Sequence, residues 1–218
     1  KRSNSYIATN LYAEFEDTLN EVHNFKIMGG WNYEKSQTKE LYGYNDDLLT
    51  EDVENINLAL GTDNRKITSS WNAYQFGGAF FRLNYDFDNR YLLEVNGRYD
   101  GSSRFPDNER WAFFPSASAG WRISEEPWFN VESKYVSNAK LRFSWGSLGN
   151  AAGLSNYQYK QTLGISTSSF ILNGLRQNYM SSPAALPGSL TWETATTWDV
   201  GADLGFFDNR LTVSGDYY

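Results

Sequence analysis

One histidine, His23, and no cysteine limit the chemistry open to this 218-residue chain. Without Cys there is no thiol nucleophile, disulfide scaffold, Cys-ligated zinc or iron–sulfur site. A single His excludes multi-His metal sites and leaves one candidate partner for a serine nucleophile. No Gly-x-Ser-x-Gly elbow accompanies His23, which stands beside a short turn. A turn-capping or interfacial role is therefore expected for it. The acidic run Asn45, Asp46, Asp47, Glu51, Asp52 and Glu54 offers oxygens of the kind Ca²⁺ prefers. Its spacing is not that of an EF-hand, and Leu48 and Leu49 interrupt it, so a solvated loop is expected. Gly29-Gly30 and Gly77-Gly78 lead into no helix and are not phosphate loops; inside strands they would mark a bend or a close neighbour. The expectation is a chain without enzymatic activity, metal or cofactor.

Binding chemistry is better represented. Lys26, Glu34, Arg82, Asn84, Glu94, Asn96, Arg98, Asp100, Arg122, Arg142, Glu193 and Asp199 recur at alternating positions between apolar residues. For any one of them, the wet face of a sheet is a sufficient explanation. Tyr42, Tyr44, Trp71, Tyr157, Tyr159 and Tyr179 fall in what read as long polar connections, where they suit stacking on sugar rings or packing against a partner. The residues leave that choice open.

The elements that must position these groups are strands. Side chains i and i+2 share a face of a strand, and this period recurs eight times. Phe25, Ile27, Gly29, Trp31 and Tyr33 oppose Lys26, Met28, Gly30, Asn32 and Glu34; Tyr91, Leu93, Val95, Gly97 and Tyr99 oppose Leu92, Glu94, Asn96, Arg98 and Asp100. Ala117, Ala119 and Trp121 oppose Ser116, Ser118 and Arg122, and Leu141, Phe143 and Trp145 oppose Arg142 and Ser144. Over residues 191–206, Trp192, Thr194, Thr196, Trp198, Val200, Ala202, Leu204 and Phe206 oppose Glu193, Thr197, Asp199, Gly201 and Asp203. Weaker versions occupy residues 4–15, 74–86 and 210–218. The chain is all-β.

Composition narrows the class. Eight Trp, 15 Tyr and 14 Phe accompany a mean hydropathy of −0.59. The longest apolar run is residues 111–114, far too short for a membrane-spanning helix. A transmembrane barrel needs no such run: its strands alternate apolar-out and polar-in between two aromatic girdles. The net charge of −7 argues against a broad nucleic-acid surface. No stretch near the start has the charged-then-apolar order of a signal peptide, as expected of a processed or internal segment.

Connections sort into two kinds that alternate along the chain. Short turns rich in Asp and Asn lie near residues 16–21, 86–90 and 207–210, with a longer one at 125–138. Long polar connections lie near 35–70, 103–110 and 149–190. An antiparallel meander puts successive connections at opposite ends, so all short turns share one rim and all long loops the other. That is the arrangement of outer-membrane barrels. Phe15, Phe25, Tyr85, Phe87, Tyr91, Trp128, Phe129, Tyr135, Phe206 and Phe207 then lie near the short-turn rim, and Tyr33, Trp71, Tyr74, Trp111, Trp145 and Trp192 near the other.

The stretch YDGSSRF at 99–105, followed by RWAFFPSASAGWRISEE at 110–126, resembles the barrel of the SusC/RagA family of TonB-dependent outer-membrane transporters of Bacteroidetes. LRFSWGSLGN at 141–150 resembles the family's next strand, and WETATTWDVG at 192–201 with FDNRL at 207–211 a later hairpin. The likeness is good over 90–218 and one of style over 1–89. It implies a larger protein, with a barrel of the ~22-stranded plugged type, an N-terminal plug domain and a TonB-contacting segment. Residues 1–218 are then expected to be an internal portion of that barrel, about eight up-and-down strands, with plug and TonB box outside this chain. The resemblance further implies uptake of oligosaccharides or peptides driven by TonB, and a SusD-like surface lipoprotein capping the long-loop end. Mixed charges facing inward suit a wall that meets a mobile plug or a hydrophilic solute. The ligand-contact candidates are Arg98, Asp100, Arg104, Arg122, Arg142, Trp71 and Tyr157. Two rivals are a soluble carbohydrate-binding β-sandwich, whose outward apolar row would pack on a second sheet, and a small barrel closed by these eight strands alone.

Overall fold

The structure is a computed structural model that describes residues 1–45, 56, 59–60, 66–129, 135–183, 185–186 and 189–218. Among the described residues ten strands form: β1 (Arg2–Leu19), β2 (His23–Tyr44), β3 (Lys66–Phe87), β4 (Tyr91–Ser102), β5 (Trp111–Arg122), β6 (Val136–Asn150), β7 (Ile165–Leu172), β8 (Leu175–Met180), β9 (Glu193–Phe206) and β10 (Leu211–Tyr217). One eight-stranded antiparallel sheet runs in the order β1-β2-β3-β4-β5-β6-β9-β10, and β7 pairs with β8 alone. No α-helix occurs among the described residues.

Cross-strand register fixes which side chains share a face. Ile27 pairs with Phe15 and Leu83, Leu83 with Val95, Val95 with Ala117, and Ala117 with Trp145. Trp145 in turn opposes Trp198, and Leu204 opposes Val213. One continuous apolar row thus covers one side of all eight strands. Every inward candidate of the sequence pattern, from Lys26 to Asp199, falls on the other side. This row stays uncovered: Leu93 is 43% exposed, Phe143 47% and Trp198 47%. The sandwich reading needed that row packed under a second sheet, and the small β7–β8 sheet does not supply one. Nor do the eight strands close on themselves; β1 and β10 are the two sheet edges.

Rings flank the row at two levels. At the short-turn end His23, Phe87, Tyr91, Trp121 and Trp128 touch in series, with Phe87–Tyr91 at 6.2 Å and Tyr91–Trp121 at 6.4 Å. At the other end Trp31 and Tyr99 both meet Trp111, at 6.5 and 5.3 Å, and Trp198 meets Tyr217 at 5.5 Å. Tyr91 and Tyr99 are eight residues apart on β4. At the strand rise and ~40° tilt of barrels this is about 21 Å of height, close to a ~25 Å lipid-facing band.

Expected turns and loops alternate as read, with three refinements. β2 and β3 run on to Tyr44 and from Lys66, so much of the expected 35–70 loop is a ribbon standing above the upper girdle. Trp71 lies eight residues beyond Ala79, roughly 27 Å along the strand, and Tyr74 also sits above the ring level. Neither belongs to the girdle. Tyr42, Tyr44, Trp71 and Tyr179 are strand residues, which leaves Tyr157 and Tyr159 as true loop aromatics among the six. Finally, the long 149–190 connection carries the β7–β8 hairpin, turned by Asn173-Gly174 with φ of 52° and 78°. Asn-Gly supplies the two left-handed positions of a tight hairpin.

The short-turn rim is knitted by one carboxylate. Glu126 follows a single 3₁₀ turn, Ile123–Glu125, and is buried; it accepts from Tyr91 Oη at 2.5 Å, Trp121 Nε1 at 2.9 Å and Arg90 Nη1 at 3.3 Å. The Tyr91 hydrogen bond, then that of Trp121, holds its carboxyl below the usual carboxylate range. A carboxyl depressed on folding stabilises the fold above its ordinary pKa, and this support is lost as pH falls through the folded value. Thermal stability of the folded protein should therefore fall below about pH 4. Glu126→Gln should weaken the fold at neutral pH and flatten that acid limb; an unchanged limb would show that other carboxylates govern it.

Candidate functional site: the inner wall and the loop rim

Apolar residues claim the outer face, so the sheet's polar residues gather on the inner one and pair there. Lys26 Nζ meets Glu14 at 2.8 Å and Glu16 at 3.8 Å. Arg82 Nε donates to Asn96 at 2.7 Å, and Asn96 Nδ2 to Glu94 at 2.8 Å. Arg98 grips Asp100 with Nε at 3.1 Å and Nη2 at 3.0 Å, reaches Asn32 at 3.3 Å, and lies over the Phe80 ring at 5.6 Å. Arg142 holds Asp203 through Nε at 2.7 Å and Nη2 at 3.1 Å and bridges to Asp216 at 2.8 Å. The inner side encloses a concavity of about 520 Å³ whose polar lining includes Lys26, Glu94, Lys140, Arg142 and Asp199. A wall with paired charges of both signs stays hydrated without presenting one strong electrostatic trap.

Gly78 makes room for the Arg98–Asp100 pair. A Cβ there would collide with the Asp100 carboxylate and come within 2.9 Å of the Tyr99 carbonyl oxygen. The backbone contact cannot swing aside. Gly78→Ala should therefore destabilise the sheet by about 1–3 kcal/mol, read as a lower unfolding midpoint in detergent. An unshifted midpoint would mean that the Asp100 side chain relocates freely. Close approach also explains Gly30, whose missing Cβ leaves space for Phe80, Tyr12 and the Leu11 carbonyl.

At the long-loop rim lies a true core. Phe105 is fully buried, and Phe114 and Trp192 nearly so. Trp192 packs on Phe105 at 4.9 Å, Phe114 at 5.3 Å and Phe76 at 6.1 Å, and its Nε1 donates to the Arg110 carbonyl at 3.0 Å. Phe76 and Phe114 are inner-face positions by register, opposite Glu34 and Arg98. Trp192 therefore leaves the outward row that alternation gave it: β9 begins one residue later, and the ring turns inward over the loops. Ala151, Leu154 and Leu190 complete the cluster.

The ligand candidates separate into four groups. Arg104 Nε donates to Asn156 at 3.0 Å and Nη1 to the Ala151 carbonyl at 3.2 Å, with its guanidinium 4.7 Å from the Tyr74 ring. Asn156 reaches Asn72 at 2.6 Å, and Tyr157 meets Trp71 at 6.0 Å, with Lys160 over Tyr157 at 5.6 Å. Arg104, Trp71 and Tyr157 thus form one crest, in which Arg104 is a fastener and Trp71 stands on the outer face of the ribbon. Arg98 and Asp100 are a pair on the inner wall. Arg142 belongs to a separate inner network. Arg122 is apart from all of these, donating to the Asn89 carbonyl at 3.3 Å in a short turn. Asn32 joins the Arg98 pair from the inward set that alternation gave it, whereas Asn72, Asn156 and Lys160 join the crest with no periodic signal to announce them. His23 Nδ1 lies 2.8 Å from Tyr85 Oη in the lower ring level, as an interfacial histidine would. Among the described residues no His, Asp and Glu cluster is arranged to hold a metal; Asp46, Asp47, Glu51, Asp52 and Glu54 lie outside them.

Residues 1–218 match the family model of the TonB-dependent receptor-like β-barrel. The chain belongs to that family. TonB-dependent receptor P3 of Formosa agariphila is 33% identical over 96% of this chain and 21% of its own length. TonB-dependent receptor SusC of Bacteroides thetaiotaomicron is 38% identical over 64% of this chain and 14% of its own. The RagAB peptide importer in its closed-closed state has the same fold, with a TM-score of 0.80 at 23% identity, covering 99% of this chain and 24% of that one. The chain therefore spans about a fifth of the curated relatives it matches. The SusC/RagA resemblance holds, the family is one of receptors and transporters rather than enzymes, and a TonB-dependent receptor barrel resides in the outer membrane. Its uncovered apolar row is the lipid face.

Proposed function

We propose that residues 1–218 are part of a larger TonB-dependent barrel that takes up oligosaccharides or peptides, with a plug domain contributed by other parts of the protein. The observation that carries this reading is the sorting of the sheet: apolar and ring-flanked outside, charge-paired and concave inside, with every long loop at one rim. In this reading the crest around Tyr157, Trp71 and Arg104 meets the solute first, and Arg98, Asp100 and Arg142 border its path. Paired cations and carboxylates can exchange partners with solute hydroxyls or peptide groups at little net cost, so nothing is held too tightly to pass. Arg122 holds a short turn. A SusD-like lipoprotein covers the long-loop rim, and TonB supplies the energy.

Uptake of labelled oligosaccharides and labelled peptides by whole cells tests this, with the full-length protein present or deleted and TonB present or absent. One solute class should enter only when both are present. Uptake that persists without TonB would overturn the reading.

A further inference from the structure

Inward-facing rings keep to the upper part of the wall. By register Tyr12, Gly30, Phe80, Arg98 and Phe114 form one row across the inner face of β1–β5. This row lies one residue below Trp31 and Tyr99 of the upper ring level. Among the described residues, no inner-face strand position between it and the short turns carries an aromatic ring. Glu14, Lys26, Arg82, Glu94 and Ser118 are typical of that lower region.

One arrangement occurs twice on β2: a small residue flanked by a ring from each neighbouring strand. Gly30 stands between Tyr12 and Phe80, and Ser36 between Tyr6 and Tyr74. The two sites are six residues apart, about 20 Å along the strand. Each leaves a shallow groove floored by β2 and walled by a ring on either side. At the lower one the missing Cβ of Gly30 lets the tip of Phe80 lean over the strand to the root of Tyr12, with Arg98 across the Phe80 ring. At the upper one Tyr74 is fixed by its hydrogen bond to Glu34 at 2.5 Å and by Arg104 over its ring. Tyr6 and Tyr12 are exposed. Whichever strand continues the sheet beyond β1, their register with β2 keeps them facing inward.

Between the grooves the inner face is polar, with its charges already engaged. Asn10 opposes Asn32, whose Oδ1 accepts from Arg98 at 3.3 Å, and Arg98 is gripped by Asp100. Glu34 accepts from Tyr74, and Arg104 is held by Asn156 and the Ala151 carbonyl. A solute therefore meets amides and aromatic faces rather than a lone charge. A peptide brings charged termini that would seek such a charge. A sugar brings hydroxyls, which donate and accept as an Asn amide does, and C–H faces that lie against rings.

We propose that the two grooves are stacking subsites for the rings of a neutral oligosaccharide, with Asn10, Asn32 and Glu34 taking hydroxyls between them. This rests on the uptake reading above and narrows its solute from two classes to one. The separation of the grooves fits a chain of several sugars rather than a single one. Past the lower groove the solute enters the ring-free, charge-paired part of the wall, where nothing holds it by stacking.

The test measures binding to the full-length protein in detergent, with a panel of neutral gluco-, manno-, galacto- and xylo-oligosaccharides and a pooled peptide library as probes. The wild type should bind at least one of the oligosaccharides and none of the peptides. Y12A/F80L should weaken that binding about tenfold, and Y6A, at the upper groove, about threefold. Y12F, which keeps the ring, should bind as the wild type does. Heat-modifiable migration reports that each variant has folded, and Y6A carries the test if the double variant has not. Wild-type affinity in the ring-deleted variants overturns the proposal, as does a wild type that binds none of the sugars. Binding of peptides instead also overturns it but leaves TonB-driven uptake standing, whereas uptake without TonB removes that reading whatever the protein binds. A lower sugar-free unfolding midpoint with unchanged sugar affinity overturns it too, and assigns the rings to packing against the plug.

Discussion

Ala202→Arg should destabilise the full-length barrel by about 2–4 kcal/mol, whereas Thr197→Arg, five residues away on the same strand, should cost almost nothing. Ala202 lies midway between Trp198 and Phe206 on the outer face of β9, flanked by Leu141 and Gly215. Those two rings sit four residues away on either side, about 14 Å along the strand. An arginine there stands at the middle of the apolar band, as far from either interface as the strand allows. Its stem can snorkel only by dragging the headgroup region inward. Thr197 opposes Gly146 on the inner side and is exposed to the hydrated interior, where Asp199 is nearby on the same face. Denaturant unfolding in lipid vesicles, followed by tryptophan fluorescence, reads both costs. Similar losses at the two positions would mean that β9 does not separate lipid from water, and the membrane placement of the whole sheet would go with it.

That experiment rests on face assignments legible in the sequence, because a strand's period is two and an apolar band selects one register. Residues 91–99 and 198–206 announced their faces without any knowledge of partners. Loop sorting was legible for the same reason: an antiparallel meander alternates its ends. What escaped obeyed other rules. β2 and β3 continue above the membrane, where both faces are wet and alternation loses its apolar half, so Lys35–Tyr44 read as loop. The β7–β8 hairpin is exposed almost throughout and has no alternation to show, although Asn173-Gly174 was a usable signal. Trp192 followed the alternation perfectly and still faces the other way, since loop packing decides the conformation of a residue just outside a strand. Of the ligand candidates, Arg98 and Asp100 pair because i and i+2 share a face, a relation any strand imposes. Arg104 finds Asn156 and Ala151 about fifty residues away, a contact no local period encodes.

Phe105→Ala should release the surface loops while leaving the wall intact. In most soluble domains the core lies under the sheet, but here lipid takes that place, and the buried rings gather at the loop rim instead. Phe105 packs on Trp192 in one buried cluster with Phe114, and Ala151, Leu154 and Leu190 of the long connection pack against that cluster. Removing a fully buried phenyl ring costs about 3–5 kcal/mol, and the loss falls on the segments that the ring joins. The wall strands keep their ladder hydrogen bonds and their lipid contacts, so unfolding of the barrel itself should move little. The expected result is faster proteolytic cleavage within residues 149–192 on intact cells, together with unchanged heat-modifiable migration. Trp192→Phe separates packing from hydrogen bonding: it keeps an aromatic ring but loses the donor to the Arg110 carbonyl, and should have a smaller effect, of about 0.5–1.5 kcal/mol. If the rim presents Tyr157 and its neighbours as a preformed surface, Phe105→Ala should also raise the half-saturating solute concentration more than it lowers maximal uptake. Loop cleavage no faster than in the wild type would show that Arg104, through Asn156 and the Ala151 carbonyl, holds the crest without help from the rings beneath it.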